Sequence, residues 1–285
     1  MFFASYRVSG KIYEMKLLNG QELVGFIKER QAKSVRNLKQ EYGVVPKLVI
    51  IRTNPDPIVD SYMRLKTTYG NDILIDVDVR TIKQVDALSE IASANEDDSV
   101  HGIIVQIPLP DPAQTNEILN QVSLQKDVDG LAQSSPYDAP TPIAINWLLA
   151  GYNVQLLGKN IVIVGHGRLV GRPLAKMWQN SDLNAQVVDK KTQDLKEIVS
   201  EADILVCATG VPGLITSQMV KSNAVIVDAG VATDKNGLVG DVASDVRELP
   251  DITITPEKGG VGPLTVAALF ENVIQAARGT VQSDK

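Results

Sequence analysis

A single cysteine, Cys207, among 285 residues leaves no intrachain disulfide and no zinc site built on paired cysteines; it lies inside the apolar run ILVCATG. A reducing compartment is the expected setting. Positive charge is also scarce, with 28 Lys plus Arg against 34 Asp plus Glu and a net charge of −6, and no basic stripe offers itself to a polyphosphate backbone. Nucleic acid is therefore not an expected partner. No apolar run is long enough to span a bilayer, and the opening MFFASYRVSGKIYEM lacks the charged start and long apolar middle of a secretion signal. The expectation is a cytoplasmic protein with no membrane partner. No internal repeat or low-complexity tract stands out.

What is present is an ordinary globular composition, 44% apolar and 22% charged, on a chain long enough for two domains. Residues 15–42 carry Leu23, Phe26, Ile27, Val35 and Leu38 at near-helical spacing, with Asn19 as a cap, which predicts a long amphipathic helix. The run VVPKLVIIRT then predicts a strand, and a second helix is expected from about Asp60 to Tyr69. ILIDVDV is a second strand candidate, Val85 to Asn95 reads as a helix, and HGIIVQIPLPDP reads as a buried strand ending at a proline-rich loop. This alternation predicts a parallel sheet. The proline-rich stretch AQSSPYDAPTPIAIN places a domain boundary close to Ile145.

Beyond it the pattern restarts, with strands in NIVIVG, AQVVD, DILVCATG and NAVIVDAG separated by helices, and VGPLTVAALFENVIQAARG reads as a closing helix. The first of these strands runs into Gly165, Gly167 and Gly171, spaced G-x-G-x-x-x-G, with a helix expected near Arg172. Such a turn lets backbone approach a pyrophosphate at a helix N-terminus. Asp189, at the end of the next strand, stands where an acidic residue meets the ribose hydroxyls of NAD. Lys190, Lys191 and Arg168 offer cations to the 2′-phosphate of NADP, so both cofactors stay open. His166 lies between two glycines, as a phosphate-turn residue more than a catalytic one; Thr209 and Gly210 complete the cofactor set. No metal site is expected.

Three further strings precede this half: Tyr62-x-x-x-Lys66 in SYMRLK, Gln106 in GIIVQIPLP, and Asp129 in KDVDG; GGVGPLT follows it. In this order the chain resembles the bifunctional methylenetetrahydrofolate dehydrogenase/cyclohydrolase family, from LLNGQELVGFI to NVIQAA. The resemblance implies an α/β fold of two domains with a cleft between them. Residues 1–145, completed by a C-terminal helix of about 264–285, would form an N-terminal folate and catalytic domain, and 146–263 a Rossmann-type NAD(P)-binding domain. It implies a tetrahydrofolate one-carbon substrate, NADP as cofactor with NAD an option because of Asp189, a homodimer, and a place in one-carbon metabolism and purine biosynthesis.

By the same resemblance Lys66 is the catalytic amine of methenyl hydrolysis, Gln106 orients it, Tyr62 packs along the aminobenzoyl group, and Asp129 accepts hydrogen bonds from the pterin. Gly259, Gly260, Gly262 and Pro263 would form a close-approaching wall of the substrate site. The sequence departs from the family pattern at Lys258, where proline is usual, at Gly167, where serine is commoner, and at Pro140 and Ala144, which replace Cys and Gly. The loop NPDPIVDSY is about two residues longer than the common form. Two alternatives accompany the bifunctional reading: an NAD-dependent dehydrogenase lacking cyclohydrolase activity, and a noncatalytic folate- or nucleotide-binding regulator.

Overall fold

The computed structural model describes residues 3–8, 11–54, 57–234 and 237–282. Its strands are β1 (Phe3–Val8), β2 (Lys11–Leu17), β3 (Lys47–Arg52), β4 (Asp76–Thr81), β5 (Gly102–Gln106), β6 (Ile161–Val164), β7 (Ala185–Val188), β8 (Ile204–Cys207), β9 (Val225–Asp228), β10 (Ala232–Asp234), β11 (Gly237–Val239) and β12 (Thr253–Ile254). Its helices are α1 (Gly20–Tyr42), α2 (Pro57–Asp72), α3 (Ala87–Glu96), α4 (Thr115–Leu119), α5 (Pro140–Gly151), α6 (Gly171–Gln179), α7 (Leu195–Ser200) and α8 (Val261–Gln282). The chain divides into two compact units: Met1–Leu23 with Thr141–Leu264, and Val24–Pro140 with Thr265–Lys285.

The second of these is built on a three-stranded parallel sheet in the order β4-β3-β5. Parallel pairing requires crossovers, and α2 and α3 supply them. The central strand is apolar on both faces, with Leu48 to Ile51 wholly buried, whereas edge strand β4 alternates Asp and Val and stays partly exposed. That difference explains a shift from the expected strand ILIDVDV. Ile73 and Ile75 are buried in the turn that ends α2, where Leu74 takes a positive φ of 66°, so their apolar character reports turn packing and pairing begins only at Asp76.

The other unit holds a seven-stranded sheet in the order β1-β2-β12-β9-β8-β6-β7, parallel except for the antiparallel β1–β2 pair. From β6 the chain steps to β7 on one side and then returns to β8 on the other. The carboxyl end of β6 is therefore the point at which strand order reverses, the place where open parallel sheets receive ligands. A core of valine, isoleucine and leucine from β6, β8 and β9 lies beneath it.

The helix expected over 15–42 begins later, at Gly20. Lys16 and Leu17 pair with Thr253 and Ile254, because the short β12 needs partners on both sides for its backbone. Asn19 does cap the helix: its Oδ1 accepts the Gln21 N–H at 3.0 Å. The strand pairing also places residues 1–23 in the seven-stranded unit instead of with the first half. The division in mid-chain falls at Pro140, ahead of Ile145, since Ala144 and Ile145 are already buried within α5. Among the described residues no helix is long and apolar enough to cross a membrane.

Candidate active site

Tyr62 and Lys66 are one turn apart on α2, a helix that buries Met63, Tyr69 and Gly70. Both remain partly exposed. The Lys66 Nζ donates to Gln106 Oε1 at 3.1 Å, which joins α2 to the last residue of β5. Gln106 is itself oriented, its Nε2 donating to the carbonyl of Ile107 at 2.9 Å, so its oxygen faces the amine. Burial pulls the Lys66 amine below its ordinary value, and the negative field of Asp129 opposes that fall. Asp129 is the mirror case: burial raises its carboxyl to about 6, Lys66 draws it back, and Asp127 adds to the rise. Burial likewise lifts the Tyr62 phenol.

Asp129 owes its place to neighbours that the sequence did not single out. Asp127, buried and raised by that burial, accepts the Ala132 N–H at 2.9 Å, and its carbonyl accepts the Gly130 N–H at 3.0 Å. Gly130 has φ +67°, and a Cβ there would lie 2.7 Å from the Tyr137 carbonyl oxygen. Buried Asn272 of α8 then donates to the carbonyls of Val128 and Asp138 at 2.8 and 3.0 Å. The only sequence signal was the doubled acid of KDVDG; Asn272 carried none.

In the seven-stranded unit the glycine turn closes on itself. A Cβ at Gly171 would fall 1.8 Å from the Gly165 carbonyl oxygen, and one at Gly165, whose φ is +109°, would fall 2.4 Å from the Ala208 carbonyl oxygen. Both positions exclude any side chain. Gly167 differs: a Cβ there meets open space, so the serine commoner at this place would fit the same backbone. His166 and Gly167 are exposed in the glycine-rich turn that leads from β6 into α6. This cradle suits a pyrophosphate.

Asp189 follows β7 and is partly buried; its Oδ1 accepts the Lys191 N–H at 2.8 Å and its own N–H donates to Thr192 Oγ1 at 2.9 Å. The carboxylate is thus fixed at a strand end, while Lys190 and Lys191 are exposed and Arg168 is partly buried. Thr209 stands against the glycine turn, its methyl 3.2 Å from the Cβ position of Gly165, with Gly210 exposed beside it. The structure brings Lys66, Gln106 and Asp129 into one cluster and Gly165, Gly171 and Thr209 into another.

The string GGVGP is not a single loop. Gly259, at φ +83°, accepts the Gln21 N–H on its carbonyl at 3.0 Å, and the Gly260 carbonyl lies 2.0 Å from where a Cβ on Gly20 would be. Gly262 and Pro263 are instead in the first turn of α8, where a missing proline N–H costs no helical bond. The lengthened loop before Tyr62 runs through residues 55 and 56, which lie outside the described residues.

A doubly wound sheet with a glycine turn at its reversal point, on a chain whose other unit carries a lysine–carboxamide–carboxylate cluster, defines a two-unit dinucleotide-dependent enzyme. The chain belongs to the tetrahydrofolate dehydrogenase/cyclohydrolase family: the family's catalytic domain matches residues 18–129 and its NAD(P)-binding domain residues 139–281. It is 36% identical over 281 residues to the bifunctional protein FolD of Methanosarcina barkeri, covering 93% of this chain and 97% of that protein. The crystal structure of the bifunctional enzyme FolD from Campylobacter jejuni superposes with a TM-score of 0.87 at 35% identity, covering 93% of this chain and 99% of that one. The dehydrogenase-cyclohydrolase of Trypanosoma brucei, solved with NADP and an inhibitor, gives 0.88 at 28% identity, covering 94% and 99%.

Proposed function

We propose that this chain oxidises 5,10-methylenetetrahydrofolate to the 5,10-methenyl compound with NAD(P)+ and then hydrolyses it to 10-formyltetrahydrofolate. The observation that carries the reading is the Lys66–Gln106 contact with Asp129 in its field, in a chain of this family. For hydrolysis, water adds to the cationic methenyl carbon and gives up a proton. The bond from that carbon to N5 then breaks as N5 takes up a proton, with net release of one proton. Lys66, its amine lowered by burial, is the base that receives the first proton and returns it at N5, and Gln106 keeps the amine aimed. Tyr62 lies along the aminobenzoyl group, and Asp129 accepts from the pterin N–H donors. Purified protein given methenyltetrahydrofolate alone should form the 10-formyl product faster than buffer does; a rate equal to the spontaneous one would leave a dehydrogenase only.

Oxidation asks no acid or base of the chain, only positioning. A bound nicotinamide would supply the hydride acceptor for the methylene carbon. Gly165, His166, Gly167, Arg168 and Gly171 would receive the pyrophosphate, with Thr209 and Gly210 beside them, and Gly259, Gly260, Gly262 and Pro263 are assigned to the folate wall. Asp189 would hold the ribose diol of NAD, while Lys190 and Lys191 serve NADP. Asp189→Ala should therefore raise KM for NAD by about 10- to 100-fold, the worth of a charged hydrogen bond, and KM for NADP less. Equal effects on both cofactors would remove Asp189 from that role.

An acceptor role for Asp129 also fixes a pH dependence. Its carboxyl titrates at about 6, so acidification below that value protonates it and removes an acceptor. KM for methylenetetrahydrofolate should rise by up to about tenfold per pH unit below 6 and stay flat above. A KM independent of pH from 5 to 8 would contradict the role. We assign the enzyme to the cytoplasm, as a homodimer that supplies one-carbon units to purine biosynthesis; the single buried cysteine supports a reducing compartment, and a two-fold pair is the commonest assembly.

A further inference from the structure

We infer that Asp241 is a positioning residue for the dinucleotide, its buried carboxylate holding the Thr209–Val211 turn in the shape that receives the cofactor. The inference rests on the function proposed above. Asp241 is wholly buried, and its Oδ2 accepts both the N–H of Thr209, at 2.5 Å, and the Thr209 hydroxyl, at 2.9 Å. The same hydroxyl oxygen accepts the Val211 N–H at 3.1 Å, so one carboxylate oxygen organises the turn after β8. That turn abuts the glycine turn: the Cβ position of Gly165 is 2.4 Å from the Ala208 carbonyl and 3.2 Å from the Thr209 methyl.

A second carboxylate holds Asp241 itself. Asp228, at the end of β9, accepts the N–H groups of Gly230, Asp241 and Val242 at 3.1, 3.0 and 3.1 Å. Two glycines leave room for nothing else: a Cβ on Gly230 would fall 2.1 Å from Asp241 Oδ1, and one on Gly240 would fall 2.0 Å from Asp228 Oδ2. The pair ties together the loops following β8 and β9, at the carboxyl ends where a doubly wound sheet takes its ligand. Those loops carry Val211 and Val231, 50% and 56% exposed, with the Val231 carbonyl 3.5 Å from the Cβ position of Gly210.

The arrangement is costly as scaffolding alone. Among the described residues, Asp241 Oδ1 is buried without a hydrogen-bond partner, an expense that an apolar residue at this position would not incur. What the carboxylate supplies and an apolar residue cannot is an acceptor for two Thr209 donors at once. An asparagine would keep that acceptor; an alanine would not.

The test is calorimetric titration of the full chain with NADP and with NAD, on the wild type and on Asp241→Ala, Asp241→Asn and Asp241→Leu, with methenyl hydrolysis as the control for folding. Asp241→Ala should weaken dinucleotide binding about tenfold or more and raise KM for the dinucleotide with kcat little changed, while hydrolysis stays at the wild-type rate. Asp241→Asn should restore binding to within about threefold of wild type. Unchanged affinity in Asp241→Ala, or Asp241→Asn as weak as Asp241→Ala, overturns the inference. Should Asp241→Ala lose hydrolysis too, Asp241→Leu, which fills the site without an acceptor, decides: weaker dinucleotide binding with hydrolysis intact supports it, and wild-type binding overturns it. A wild-type chain that binds neither dinucleotide refutes the proposed function instead.

Discussion

Lys66→Met should slow methenyl hydrolysis by about 10²- to 10⁴-fold, the usual worth of a positioned acid–base group, and leave dinucleotide affinity unchanged. Methionine preserves the length and apolar stem of lysine, so the α2 face stays filled while the amine is lost. Two consequences follow from the neighbours. Gln106 Oε1 loses the donor now 3.1 Å away, and Asp129 loses the cation that draws its carboxyl down toward about 6. Asp129 therefore titrates higher in the variant, and folate affinity at neutral pH falls as well. Lys66→Arg separates the two effects: arginine keeps the positive charge but does not deprotonate. Hydrolysis should be lost in both variants, and the rise in folate KM should be confined to Lys66→Met. Hydrolysis at the wild-type rate in either would refute the role of the amine.

Gly171→Ala should abolish dinucleotide binding and lower the melting temperature while sparing hydrolysis. The added methyl would lie 1.8 Å from the Gly165 carbonyl oxygen, backbone against backbone, with no flexible side chain to give way. Overpacking of this kind costs about 1–3 kcal/mol or more. Relief can come only by moving Gly165, which is itself held against Ala208. Gly167→Ala is the contrast, since its methyl meets open space and the melting temperature should not change. Melting curves for the two variants beside NADP titrations check both. A Gly171→Ala protein with wild-type affinity would mean that the turn is not the pyrophosphate cradle.

The parts of the fold legible in the sequence are those where a strand is buried on both faces. β3, β5, β6, β8 and β9 all stand out as continuous β-branched runs because parallel strands are covered on both sides. The edge and the short strands were not legible: β4 is half polar, and β12 is two residues long and exists only because β2 and β9 flank it. Lys16 and Leu17 read as the start of a helix for the same reason, since nothing local announces a partner at Thr253. Within the site, Lys66, Gln106 and Asp129 were identifiable because each sits in a motif with a recognisable order. Asp241, Asp228 and Asn272 act through backbone groups distant in sequence, and side chains that serve remote carbonyls and N–H groups leave no spacing to read.

The central claim is two consecutive reactions on one folate carbon. Its most direct test is to mix the purified chain with 5,10-methylenetetrahydrofolate and either NADP or NAD, and to follow the methenyl absorbance as it forms and decays. Methenyl should appear with at least one cofactor and then disappear faster than it does in the absence of protein. A chain that forms no methenyl compound with either cofactor would contradict the account.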